Sequence, residues 1–251
     1  MSLVLVACSS EVATTPTSLK SIDTATTVAT TATTSSSNES TTTTEAIETT
    51  TTEAIETTTT DHVGEPDFGP RRGDILAVIG VAHDATLNLR ALPGPNQDIL
   101  DRIEPLYDGL FAQGEAGELP SGFWAKVDYE GTLGWVHMSF IAYLGATDDV
   151  TSVVVADLNG YPVTDTMEEL GLLVAEVFVS IDPPSGIVMT VGPTVGDLGE
   201  VTFDIIGLGD DAVRGVRLHV FGDPVDGEFA LRSVESTNLC GRGVTNNGLC
   251  V

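Results

Sequence analysis

Basic residues are scarce in this chain: ten Lys and Arg face 37 Asp and Glu over 251 residues, a formal net charge of -27. Phosphate binding needs a basic patch, so nucleic acid is excluded as a partner. The same field opposes adsorption to anionic lipid or anionic wall polymers. Long hydrophobic runs are missing too, and no stretch reaches the ~18 apolar residues that a membrane span needs. Histidine is rarer still. His62, His83, His137 and His219 are the only four, and none sits in H-E-x-x-H or another zinc-spaced pair. There is no G-x-S-x-G, and the Gly-rich loops follow no GxGxxG or Walker pattern. Asp197, Glu200 and Asp204 with Gly207–Asp211 form an acidic cluster, but its spacing is not that of a calcium loop, and acidic residues suit turns for their own reasons. The chain reads as a non-enzyme, with no catalytic residue, no metal ligand and no cofactor.

Cysteine is nearly absent, and its three copies divide into one plus two. Cys240 and Cys250 flank a turn-rich loop containing Gly241, Gly243, Asn246, Asn247 and Gly248, one residue from the end of the sequence. A disulfide between them is expected, and an exported location permits it. Cys8 ends Leu5-Val6-Ala7-Cys8, which resembles the lipobox of bacterial lipoproteins. That resemblance implies cleavage before Cys8 and a lipid on its sulfur, so the chain would meet the membrane only through an acyl anchor and face the extracytoplasmic side. Residues 1–7 read as the remnant of a signal peptide. They lack a charged leader and a full apolar stretch, so the true start is expected upstream.

Large apolar residues are almost missing from Ser9 to Asp61, which is dominated by Thr, Ser, Ala and Glu; TTTTEAIE occurs in tandem at Thr41–Glu48 and Thr49–Glu56. Such a tract cannot bury enough surface to offset the entropy of ordering it, so residues 8–72 are expected to be a disordered Thr-rich linker. It would span roughly 40 Å on average, and its threonines could carry O-linked sugars.

From Gly73 the composition turns globular. Leu87-Asn88-Leu89-Arg90 precedes Pro93-Gly94-Pro95, a strand ending in a turn. Phe123–Val127 and Gly134–His137 flank Glu130-Gly131 and predict a hairpin. Gln113–Gly122 reads as an enlarged acidic loop. Phe140-Ile141-Ala142-Tyr143-Leu144 closes the unit. In this order the motifs resemble the bacterial Src-homology-three family. The resemblance implies a small β-barrel over residues 73–145 and a groove of aromatic and polar side chains. Trp124, Trp135 and Tyr143 would stack on a ligand, with Asn88, Arg90 and His137 as polar partners. The implied ligand is a cell-wall glycan or peptide, and the alternative is a surface or assembly protein that contacts only other proteins.

Residues 146–251 read as a second, α+β domain with an antiparallel sheet. Thr151–Asp157 reads as a strand from its β-branched run. Thr166 with Glu169 forms a capping box for a helix over 166–178, its apolar residues Met167, Leu170, Val174 and Val177 at helical spacing. Strands are expected at 186–191, 200–206, 213–221 and 228–234. The ending, Leu239–Val244 followed by Gly248-Leu249-Cys250, resembles that of an uncharacterised module of bacterial exported proteins, which implies no activity. The whole is expected to be mainly β.

Overall fold

In chain order the elements are β1 (His62–Gly64), β2 (Ile75–Val78), β3 (Leu87–Arg90), β4 (Ile99–Ile103), β5 (Leu110–Leu119), β6 (Gly122–Tyr129), β7 (Thr132–His137), a 3-10 turn (Met138–Phe140), β8 (Ile141–Asp149), α1 (Thr151–Asp157), β9 (Val163–Thr164), α2 (Met167–Glu176), β10 (Gly186–Val195), β11 (Gly199–Ile206), β12 (Val213–Val225) and β13 (Glu228–Cys240). They come from a computed structural model that describes residues 62–64 and 68–251. Cys8 and the Thr-rich repeats lie outside the described residues. The protein is mainly β. Its strands join in one open antiparallel path, β10-β11-β12-β13-β8-β2-β5-β6-β7-β3-β4, with β1 added beside β5 and β9 beside β13.

The hairpins follow from local chemistry. Tyr129 pairs with Thr132 across Glu130-Gly131, both at positive φ (50° and 89°), the two-residue turn whose twist matches that of its strands. The Asp128 carboxylate accepts the Gly131 N–H at 2.7 Å and closes it. Thr166 caps α2 as expected, its hydroxyl accepting the Glu169 N–H at 3.1 Å. Met167, Leu170, Val174 and Ala175 then face the C-terminal sheet, each at most 1% exposed. Burial on this scale is worth about 1.5–3 kcal/mol for each large side chain.

Three expectations need correcting. Thr151–Asp157 is helix α1, not a strand. Val150, Val154 and Leu158 recur at intervals of four, and Val154 is fully buried in the C-terminal core with its two neighbours packed beside it. The Asp149 carboxylate accepts the Thr151 N–H at 2.8 Å and starts the turn. Burial of that face outweighs the β-propensity of the valines. Gln113–Gly122 is not a loop: most of it belongs to β5, and the turn is only Pro120-Ser121. β5 pairs with β2 at Leu110 and Phe111 and with β1 through Ala116–Glu118, and its register against β6 shifts between Ala112 and Ala116. Its Glu115 is not a free loop acid, because it bonds the Lys126 ammonium at 2.9 Å. Finally, the stretch taken as linker ends earlier than residue 72. β1 covers the part of β5 that β2 leaves unpaired, which satisfies backbone groups that would otherwise form an open edge.

Two large cores result. The N-terminal one holds Leu76, Val78, Leu89, Ile103, Leu110, Val127 and Val136. The C-terminal one holds Leu170, Val174, Phe203, Ile205, Leu218 and Val234. They fall on opposite sides of the expected junction at 145/146, but β8 crosses that junction without a break. Ala142 pairs with Ala77 of β2, and seven residues later Asp149 pairs with Glu235 of β13. A third, small cluster of Ile79, Ala142 and Leu239 sits between the two cores.

A charged pair reinforces this seam. Asp204 on β11 is fully buried and Arg217 on β12 is 11% exposed; Nε of the guanidinium donates to Oδ1 at 2.7 Å and Nη2 to Oδ2 at 2.9 Å. The second nitrogen also donates to the Val78 carbonyl at 2.8 Å, and the carboxylate accepts the Gly80 N–H at 2.8 Å. The His83 N–H donates to the Met189 carbonyl of β10 at 3.0 Å. Residues 78–83, which leave β2, are thus held by the C-terminal sheet.

Candidate functional site

That held segment forms one wall of a cavity of about 410 Å³. The others come from β3, β6, β7 and the 3-10 turn. In β3, Leu89 points into the core while Asn88 and Arg90, one residue to either side, are half-exposed and line the cavity. Trp124 and His137 are directly opposed in the β6–β7 ladder, so their side chains share a face. The rings meet edge to face with centroids 5.2 Å apart. Phe140 continues the row, 6.0 Å from the imidazole.

The imidazole is fixed at both nitrogens. Nδ1 accepts the Ser139 N–H at 3.2 Å, which leaves the proton on Nε2 and directs it to the Ser121 carbonyl 3.0 Å away. His137 is therefore part of the wall with both ring nitrogens already engaged. Gly122 makes room for it: a Cβ there would lie 2.4 Å from Nε2. Trp124 is also tied down, its indole N–H donating to the Ser121 hydroxyl at 3.3 Å. Arg90 spends one nitrogen on the Gln97 carbonyl at 2.7 Å and keeps its other donors. None of the residues lining the cavity is Asp or Glu, in a chain that carries 37 of them.

Asn88, Arg90, Trp124 and His137 thus share one cavity. Trp135 does not join them; it is 4% exposed and lies outside the cavity wall. Trp124 lines the cavity but is equally buried at 4%, so it offers no open stacking face. Tyr143 lines a neighbouring groove, for which His137 is also a wall. Its hydroxyl donates to the Asp74 carboxylate at 2.6 Å. Phe140, from the closing motif, also lines the first cavity, as do Ser121, Thr86 and the Gly80–Ala82 segment, for which the motif pattern contained no signal. Cys240 and Cys250 are joined, their sulfurs 1.96 Å apart.

No protein-family model, curated protein or solved structure matches this chain. Among the described residues no helix is long and apolar enough to cross a membrane, and no three His, Cys, Asp or Glu side chains cluster as metal ligands would.

Tyr143 makes the second groove visible to pH. Burial, then the hydrogen bond to Asp74 and the charge of that carboxylate, push its hydroxyl well above the ordinary value of 10.0, with Arg71 and Arg214 opposing. A raised folded pKa means that the folded state holds the proton longer. The associated stability is complete below about pH 10 and falls as pH rises beyond it. Tyr143→Phe should flatten the alkaline decline in unfolding free energy, measured by urea titration at a series of pH values. An unchanged slope would reject the coupling.

Proposed function

We propose that the protein is an exported, non-catalytic binding module whose N-terminal half is a bacterial Src-homology-three-like barrel. In this reading the cavity between β3, β6 and β7 takes a cell-wall fragment, and Cys8 carries the lipid that tethers the chain outside the membrane. The supporting observation is the cavity's composition. Two aromatic rings, an imidazole, an amide and a guanidinium converge there with no carboxylate, although the chain's net charge is -27. A strongly acidic protein cannot attract anionic wall polymers by charge, so affinity must come from ring contacts and a few hydrogen bonds in a shaped pocket free of carboxylates. The disulfide agrees with an oxidising, extracytoplasmic location.

The test is titration with soluble glycopeptide fragments released from isolated wall, read by tryptophan fluorescence. Asn88→Ala and Arg90→Ala should each weaken binding about five- to tenfold, in line with one lost hydrogen bond each, and the parent's affinity should change little with salt. Trp124→Ala is a poor probe because removing so buried a ring costs about 3–5 kcal/mol of stability. Parent-like binding by both variants, or binding abolished by moderate salt or a chelator, would reject the pocket. Cys8→Ala, expressed from an upstream start, should leave the membrane fraction. A variant that stays there would reject the anchor alone.

A second reading has its own observation. Ile75, Phe111 and Leu133 are 55%, 50% and 51% exposed and occupy neighbouring ladder positions in β2, β5 and β7, with Asp128 between the last two. Such a row suits a protein contact. Concentration-dependent sedimentation that Phe111→Ser abolishes would favour it.

A further inference from the structure

The neighbouring groove is larger, about 1010 Å³, and lies between residues 68–75, the 3-10 turn and the loop closed by Cys240–Cys250. Cations gather in it. Arg71, Arg214 and Arg242 line its walls, three of the chain's ten basic residues. The one Asp or Glu on the same walls, Asp74, is already occupied by the Tyr143 hydroxyl and by the Arg71 N–H at 2.7 Å.

Arg214 is the unusual member. It is half-buried, and its Nη1 donates only to carbonyls, those of Met138 and of Ile141 (3.1 Å). No ion pair ties it to any carboxylate among the described residues, whereas Lys126, Arg217, Arg232 and Arg242 each have one. Burial pulls its pKa below the usual arginine range, with Tyr143 opposing. A desolvated guanidinium lacking a counter-ion is a costly arrangement, and a chain with 37 carboxylates has had ample means to avoid it. Arg242, on the loop closed by the disulfide, donates Nε to the Val251 oxygen at 3.2 Å and pairs with Asp211 at 3.0 Å, but Arg242 and Asp211 are 58% and 82% exposed, so that ion pair is weak and exchangeable. The apolar part of the groove is equally defined. Phe68 and Phe123 meet edge to face at 5.0 Å and are 38% and 45% exposed, with Ile75 beside them.

We propose that this groove is a second binding site, for a small organic anion, a carboxylate or phosphate on an apolar body. Arg71, Arg214 and Arg242 hold the anionic group, and Phe68 and Phe123 hold the body. The guanidinium fork matches either oxyanion, and Lys would not replace it. The site is separate from the cavity proposed above and stands whether or not that cavity binds wall fragments.

Three probes decide the matter: benzoate, phenyl phosphate and neutral benzyl alcohol, each titrated into isotope-labelled protein at constant ionic strength and followed by amide NMR. At least one anion should give saturable shifts at residues 68–75, 122–123 and 241–244, and the tighter of the two names the class. Benzyl alcohol should bind at least about tenfold more weakly. Arg71→Gln with Arg242→Gln should weaken the anion about tenfold or more while leaving the remaining spectrum unchanged. Arg214→Lys, which keeps the charge and loses the fork, should weaken it as well. Equal binding of benzyl alcohol, parent-like binding by the Arg71/Arg242 double variant, or no saturation by either anion would overturn the proposal.

Discussion

Asp204→Ala should lower the unfolding free energy by about 3–5 kcal/mol, the range seen when one partner of a buried ion pair is removed. The carboxylate is fully buried and satisfies three donors: two guanidinium nitrogens and the Gly80 N–H. Without it Arg217, 11% exposed, is a desolvated cation whose remaining side-chain partner among the described residues is the Val78 carbonyl. Two separate costs follow, a charge without a counter-ion and a backbone N–H without an acceptor. Urea denaturation of Asp204→Ala, Arg217→Met and the double variant measures them. The double variant should recover part of the loss, because an apolar pair leaves no uncompensated charge. A single-variant loss under about 1 kcal/mol would show the pair to be expendable. The defect should also reach the first cavity, because the wall at residues 80–82 loses its tie to β11.

Reducing the Cys240–Cys250 bond should cost about 3 kcal/mol, the chain-entropy value for so short a loop. The native loop is well tied down, which favours delivery of that full value. The Ala146 N–H donates to the Gly248 carbonyl at 2.7 Å, Val244 bridges to Cys250, and Thr245 accepts the Leu249 N–H at 3.1 Å on its hydroxyl. Cys240 is fully buried at the end of β13, so its thiol has nowhere else to go. Denaturation with and without reductant reads the difference, and Cys250→Ser should match the reduced parent. Mass spectrometry that found two free thiols in protein taken from cells would remove the support for an oxidising compartment. Because Gly241, Arg242, Gly243 and Val244 line the second groove, reduction should also weaken benzoate or phenyl phosphate there.

What the sequence made legible was local. The Glu130-Gly131 hairpin, the Thr166 cap, the C-terminal strands and the Cys240–Cys250 pair each announce themselves within a few residues, by turn chemistry, capping or alternation. Where long-range burial decides, the signal inverted. Thr151–Asp157 carries three β-branched valines in a row, yet the positions that matter are Val150, Val154 and Leu158, which only a sheet to pack against distinguishes. In β5, Gly114 and Gly117 with Glu115 and Glu118 looked like loop composition. What makes the segment a strand is the ladder supplied by β6 on one side and by β1 on the other. Four of the six aromatic and polar candidates lie together because β3, β6 and β7 are adjacent. Tyr143 and Trp135 sit elsewhere because motif order says nothing about which way a strand faces. The arginine groove was unreadable for a simpler reason: Arg71 and Arg242 are 171 positions apart, and nothing in either neighbourhood refers to the other.

β8 has a consequence for how such a protein can be taken apart. Many multidomain proteins are strings of portable cassettes, joined by linkers that can be cut and respliced. This chain offers no such seam after Gly145. Severing it there would strip β13 of its partner along Thr147–Asp149, leave that flank of a long strand open to pair with any passing chain, and bring Ile79, Ala142 and Leu239 into water. Neither half would be a faithful specimen of itself. The unit that can be copied, fused or transplanted is the whole of residues 62–251, with both grooves carried along at a fixed spacing.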